Sequence, residues 1–165
     1  MQNRIMKKII LVPLLFASLL VFAQEKMITK SGIITFDASF PSYDEVKGTN
    51  IGATVVLNPE TGEIASLALM KGFHFEIALM EEHFNENYME SGKFPTGIFK
   101  GKIVEDIDFT KNGTYDVIAK GQLTLHGVTQ ARELKGKLTV ENQKITLTSN
   151  FDVKLVDHKI EVPKL

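Results

Sequence analysis

Cysteine is absent from the sequence. That excludes a disulfide framework, thiol chemistry and a lipid-modified N-terminal cysteine, and leaves the core alone to stabilise the fold. Histidine is sparse: His74, His83, His126 and His158 stand apart, with no pair at the one-turn spacing of a zinc motif, so no metal centre is expected. Serines are few, with no Gly-x-Ser-x-Gly elbow and no glycine-rich phosphate cradle. Glu81, Glu82, Glu86 and Glu90 could in principle supply a general acid and base, but they fall opposite an apolar helix face and read as solubilising charge. The sequence offers no nucleophile, and the protein is not expected to be an enzyme. It also lacks a repeat of fixed period, a low-complexity linker and the helix-strand alternation of a parallel sheet.

What is present begins at the N-terminus. Arg4, Lys7 and Lys8 precede the apolar run IILVPLLFASLLVFA, and the small residue Ala23 stands where a signal peptidase could cut. Residues 1–23 read as an export signal, and residues 24–165 as the mature domain in the periplasm; the alternative is a retained anchor, for which the run is at the short end. Without the signal, 16 basic residues face 20 acidic ones, a net charge of −4. Nothing in that balance attracts nucleic acid or an anionic membrane surface. The 142 residues that remain suffice for one domain with its own core.

Alternation at period two predicts seven strands: residues 28–38, 51–57, 63–75 with a break at Lys71-Gly72, 97–104, 115–126, a stretch carrying Leu134, Gly136, Leu138 and Val140, and 145–155. A stub follows at 159–165. Inward positions are expected at Ile34, Phe36 and Ala38, at Ile51, Ala53, Val55 and Leu57, and at Leu67 and Leu69. Asn58 to Glu63 reads as a turn, and Asn112-Gly113 as a tight hairpin. One segment breaks the pattern. Ile77, Met80, Phe84 and Tyr88 recur at three and four, which predicts a short amphipathic helix ended by Ser91-Gly92. The whole reads as all-β, a meandering antiparallel barrel with this helix lying on it or plugging its end.

Apolar surface is over-supplied in and around the helix, at Phe73, Phe75, Leu79, Met80, Phe84, Tyr88, Met89, Phe94 and Phe99. These residues either fill the barrel or line a channel left by small inward residues such as Ala68, Ala119, Gly121 and Gly136. Composition leaves both open.

Two segments carry a family resemblance. MEEHFNENYMESGKFPTGIFKGKI, with its short helix, Ser91, the pair Phe94-Pro95 and a strand opening on Phe99, is similar to a pattern of the YceI-like family. GQLTLHGVT, residues 121–129, resembles that family's more specific G-x-L-T-[IL]-x-G-[VK]-T signature. Order and spacing fit from about Ile28 to Leu165. The resemblance implies an exported bacterial protein with an antiparallel lipocalin-like β-barrel that holds a long isoprenoid or fatty chain. It makes Phe36, Phe73, Phe75, Leu79, Met80, Phe84, Tyr88, Phe94, Phe99, Leu123 and Phe151 the expected ligand-lining residues, with His83, Tyr88 or His126 meeting a head group. It implies no obligatory cofactor. The bound partner would be a polyisoprenoid lipid or isoprenoid quinone, with transient membrane contact as the accompanying expectation. Family members usually continue past the position of Leu165 into a strand that pairs with the first, so either the sequence is cut short or the barrel has a gap beside residues 28–38. An enzyme using His83 and a helix glutamate on a lipid-like substrate, and an interaction module recruiting a partner through the open edge strand, are the competing readings.

Overall fold

The computed structural model describes residues 26–38 and 46–161, and the expected export signal lies outside them. Eight strands form one antiparallel sheet: β1 (Met27–Asp37), β2 (Lys47–Leu57), β3 (Glu63–Leu69), β4 (His74–Phe75), β5 (Thr96–Ile103), β6 (Gly113–Leu125), β7 (Val128–Glu141) and β8 (Lys144–Ser149). Neighbours follow the chain, β1-β2-β3-β5-β6-β7-β8, while β4 pairs with β2 alone. The sheet curls into a half-barrel, and no pairing joins its edges β1 and β8 among the described residues. This is the expected antiparallel lipocalin-like architecture, open on one side.

Residues in left-handed backbone make the tight turns. His126-Gly127 (φ 50° and 70°) joins β6 to β7, and Asn142-Gln143 (φ 50° and 66°) joins β7 to β8, two-residue connections of the kind that match strand twist. The hairpin expected at Asn112-Gly113 is not formed. β6 pairs with β5 only from Ala119 onward, so residues 104–112 make a loop instead. Asp108 organises that loop: it accepts from the Thr110 hydroxyl and the Lys111 ammonium, and these hold its carboxyl down at about 2.

Alternation places Val117, Ala119 and Leu123 of β6 and Leu138 and Val140 of β7 inward, as expected. β3 takes the opposite phase. Leu67 and Leu69 face out, while Ile64 and Ala68 are buried. The segment EIASLAL is apolar in both phases, and pairing decides: Ser66 lies opposite Phe99 and Ala68 opposite Gly97, so the Phe99 ring meets small neighbours. Ile51 also faces out, because the β1–β2 register shifts on both sides of Gly32. At that irregularity buried Asn50 accepts the Gly52 N–H (2.8 Å) and donates to the Leu69 carbonyl (2.9 Å), replacing bonds the ladder cannot make.

The helix is interrupted. α1 (Ala78–His83) passes into a π turn, Phe84–Tyr88. Asn85 donates its side-chain amide to the Glu81 carbonyl (2.9 Å), and buried Ser91 donates its hydroxyl to the Asn85 side chain (2.6 Å). Phe84 and Met89, at the two ends of the wider turn, are buried, while Ile77, which precedes α1, is exposed. At the C-terminal side β8 stops at Ser149, not at residue 155 as expected. Leu155–His158 is a 3-10 turn, and residues 159–161 form no strand.

Two apolar clusters fill the half-barrel. The first is made almost entirely by strands: Leu57, Ile64, Phe99, Ile103, Val117, Ala119, Leu123, Leu138 and Val140. The second is closed by non-strand elements and contains Ala53, Ala68, Met70, Phe73, Phe84, Met89 and Ile160.

Candidate functional site

The second cluster is centred on Phe84. Its ring centroid lies 5.1 Å from Phe75, 5.4 Å from Phe73 and 5.7 Å from Phe36, with planes inclined by 46–50°. Tilted ring pairs at these separations are favourable beyond the area they bury. Phe75 covers Gly48, where a Cβ would fall 2.5 Å from its ring, so the aromatic layer needs a bare backbone there. Glu81 on α1 accepts the Phe75 N–H (3.1 Å) and lies 3.4 Å from His74 Nδ1. That contact staples the helix to β4.

Of the residues expected to line a ligand, Phe36, Phe73, Phe75, Phe84 and Tyr88 belong to this cluster, and Met80 is half-buried on α1. Phe99 and Leu123 face each other across β5 and β6 in the strand-built cluster instead. Phe94 is half-buried against His126, with ring centroids 4.3 Å apart. Leu79 is 56% and Phe151 43% exposed, so neither touches the interior in this arrangement. The first falls on the outer side of α1; the second lies beyond the end of β8.

A polar frame closes the same end. His126 Nε2 is 2.6 Å from Glu90 Oε2, and His126 Nδ1 is 3.3 Å from the carbonyl of His158. Both neighbours only accept, so the ring satisfies both when both its nitrogens carry hydrogen. The Phe94 ring packs over Gly127, and Lys93 places its ammonium 4.8 Å from the Phe94 centroid. The expectation that the helix glutamates serve only solubility is therefore corrected: Glu81 anchors the helix to β4, and Glu90 anchors the chain beyond the helix where it folds back onto the β6–β7 turn. His126 is an anchor too, with both ring nitrogens engaged. His83, Glu82 and Glu86 are exposed.

β7 contributes residues that composition did not single out. Gln130 and Arg132 share the inward row with Leu134, Leu138 and Val140. Gln130 donates to the Asp157 carbonyl (2.8 Å) and Arg132 Nη2 to the Asp157 carboxylate (2.9 Å). That hydrogen bond holds the Asp157 carboxyl below the usual carboxylate range. His158, wholly buried, donates from Nδ1 to the Val128 carbonyl (3.0 Å). The signal was available: the alternation of VTQARELKGKL puts Gln130 and Arg132 in phase with the leucines.

Two cavities lie elsewhere. One of about 230 Å³ is lined by Pro59, Gly62, Ile103 and Phe109 among others, and a shallow one of about 430 Å³ runs along Gly136 and Ser149. Neither includes a residue of the Phe84 cluster. Among the described residues no three His, Cys, Asp or Glu side chains converge as a metal site would require, and no helix is long and apolar enough to cross a membrane.

Comparison with known proteins gives one family and one fold. The sequence profile of the YceI-like domain matches residues 27–164. No curated protein matches. Among solved structures, a polyisoprenoid binding domain from Saccharophagus degradans implicated in plant cell wall breakdown superposes with a TM-score of 0.68 at 11% identity, covering 82% of this chain and 80% of that one. BcnA of Burkholderia cenocepacia gives 0.64 at 11% identity, over 79% and 82%. The YceI protein of Campylobacter jejuni gives 0.57 at 17%, over 76% and 77%. At these identities the likeness is one of fold.

Proposed function

The chain belongs to the YceI-like family, and from that premise we propose that it is an exported binding protein that holds a long-chain isoprenoid or similar amphiphile in its half-barrel, for transport, storage or sequestration. One observation carries the reading: the second apolar cluster is closed by a short plug, α1 with its π turn, which inserts Phe84 among Phe36, Phe73 and Phe75. A plug held by side-chain contacts can withdraw without breaking a β-ladder, and an apolar chain can then take the place of Phe84. The polyisoprenoid binding domain from Saccharophagus degradans, which shares the fold, supports the choice of ligand class.

The energetics need no polar code. Burying a methylene is worth about 0.8 kcal/mol, so a forty-carbon chain gains on the order of 30 kcal/mol gross. Ordering the chain and displacing the plug offset most of that, and affinities saturate well below it. Binding, not catalysis, fits the residues at hand, since His83, Glu82 and Glu86 lie exposed and apart from the cluster. The export signal read at residues 1–23 supports a periplasmic setting for this function, and loading of the ligand would call for transient membrane contact.

Organic extraction of freshly purified protein, followed by mass spectrometry, tests the reading. An isoprenoid lipid recovered in reproducible ratio to protein is expected. Repeated recovery of none, together with failure to take up an added isoprenoid, would overturn it. Phe84→Asp should lower occupancy far more than Glu86→Ala, because only the first side chain sits in the cluster.

A further inference from the structure

Where the 3-10 turn Leu155–His158 closes against the inward row of β7, two buried polar atoms have no hydrogen-bond partner among the described residues: Nε of Arg132 and Nε2 of His158. Unpaired buried polar atoms are rare in folded proteins and costly where they occur. Their chemistry is fixed by what their neighbours already use. His158 is completely buried, and its Nδ1 must carry the hydrogen because the Val128 carbonyl can only accept. In the neutral ring Nε2 is then a bare acceptor. Arg132 spends Nη2 on Asp157, while its Nε–H remains an unused donor. The guanidinium charge is matched by the Asp157 carboxylate at 2.9 Å, and Lys154, which also acts on that carboxylate, is exposed.

Resting on the lipid-binding reading above, we infer that this corner is the head-group subsite of the half-barrel, and that it selects an uncharged hydroxyl head, an isoprenoid alcohol or phenol, over a phosphorylated one. A hydroxyl both accepts and donates, which matches an unused N–H and a bare ring nitrogen. A quinone carbonyl or an ether only accepts and leaves His158 Nε2 unpaired. A phosphate would have to compete with Asp157 for Arg132, and the carboxylate beside it repels the second negative charge. The turn carrying Asp157 and His158 thus sets which head the apolar cluster's occupant can bear.

Competition against a bound fluorescent lipid, using geranylgeraniol, its methyl ether and its monophosphate on the full chain, tests this. Geranylgeraniol should displace the probe at about tenfold lower concentration than the methyl ether, a difference of one to two hydrogen bonds. The monophosphate should need a clearly higher concentration than the alcohol. Asp157→Asn, which frees the Arg132 charge, should improve the monophosphate about tenfold relative to the alcohol measured on the same variant. Equal competition by all three, or a monophosphate that equals or beats the alcohol on the unaltered protein, would overturn the inference while leaving isoprenoid binding intact, and would assign the two atoms to hydration. Failure of all three to displace the probe would overturn it together with the reading it rests on. The ranking on the unaltered protein decides the matter even if the variant does not fold.

Discussion

Glu90 and His126 are thirty-six residues apart in the chain, and their side chains meet at 2.6 Å although both stand in left-handed backbone, at φ 42° and 50°. Non-glycine residues rarely adopt that conformation, and holding it costs of order a kcal/mol or more each. The contact ties the segment that follows the plug to the turn between β6 and β7. Its removal is therefore expected to loosen one end of the half-barrel.

Two substitutions at Glu90 separate the bond from the backbone strain. Glu90→Ala loses the bond and keeps the strained backbone, and should cost about 1 kcal/mol, the lower figure because Glu90 is partly exposed. Glu90→Gly loses the same bond but relieves the backbone, so its urea midpoint should lie between those of Glu90→Ala and the unaltered protein. A glycine variant less stable than the alanine variant would contradict the assignment.

Phe84 is the hub of three ring contacts and is 7% exposed. Phe84→Ala should destabilise the ligand-free protein by about 3 kcal/mol or more, as large-to-small changes in a packed core do. Leu79→Ser, one turn earlier and outward, should change the denaturation midpoint by less than about 0.5 kcal/mol equivalent. Equal effects of the two would mean that the plug does not pack as described.

Gly121 faces Gly101 across β5 and β6. A Cβ on Gly121 would fall 2.5 Å from the Gly101 Cα and closer still to the Lys100 carbonyl oxygen, both backbone atoms that cannot swing aside. Gly121→Ala is expected to abolish or severely lower soluble yield, whereas Gly92→Ala, with nothing within 4 Å of the new atom, should leave thermal unfolding unchanged or slightly raised.

Acid should loosen the C-terminal turn. The hydrogen bond from Arg132 depresses the Asp157 pKa, so its contribution to stability is complete above the ordinary aspartate pKa of about 4 and is lost as pH falls through the lower folded value. Asp157→Asn should be less stable than the unaltered protein at pH 7, and the difference should shrink below about pH 4. Urea midpoints of the two across that range measure it; a gap that widened in acid would reverse the sign of the argument.

Most of the sheet was legible because half-wet strands announce themselves. In β6 and β7 the apolar residues fall mainly in one phase, Ile118 and Ala131 being the exceptions, so Val117, Leu123, Leu138 and Val140 are expected inward. β3 was not legible, since Ile64 and Ala68 compete with Leu67 and Leu69 and only pairing with β2 and β5 chooses between them. The π turn was hidden for a similar reason: its cause is a side chain, Asn85, bonding to a carbonyl one turn back. The polar frame at His126 escaped because Glu90, His126 and His158 converge from three distant stretches.

The sequence by itself determined an antiparallel β-domain with one short apolar plug, because periodicity and turn chemistry are local properties. The family signature in residues 121–129 belongs with these, its conformation being set by two residues in left-handed backbone. The tertiary structure alone decided which rings meet at Phe84, which glutamates became anchors, and that buried His158 and half-buried Arg132 each keep one buried nitrogen without a partner among the described residues. Those outcomes depend on register and on how the plug and the C-terminal turn close over the sheet, and long-range packing of that kind leaves no periodic trace along the chain.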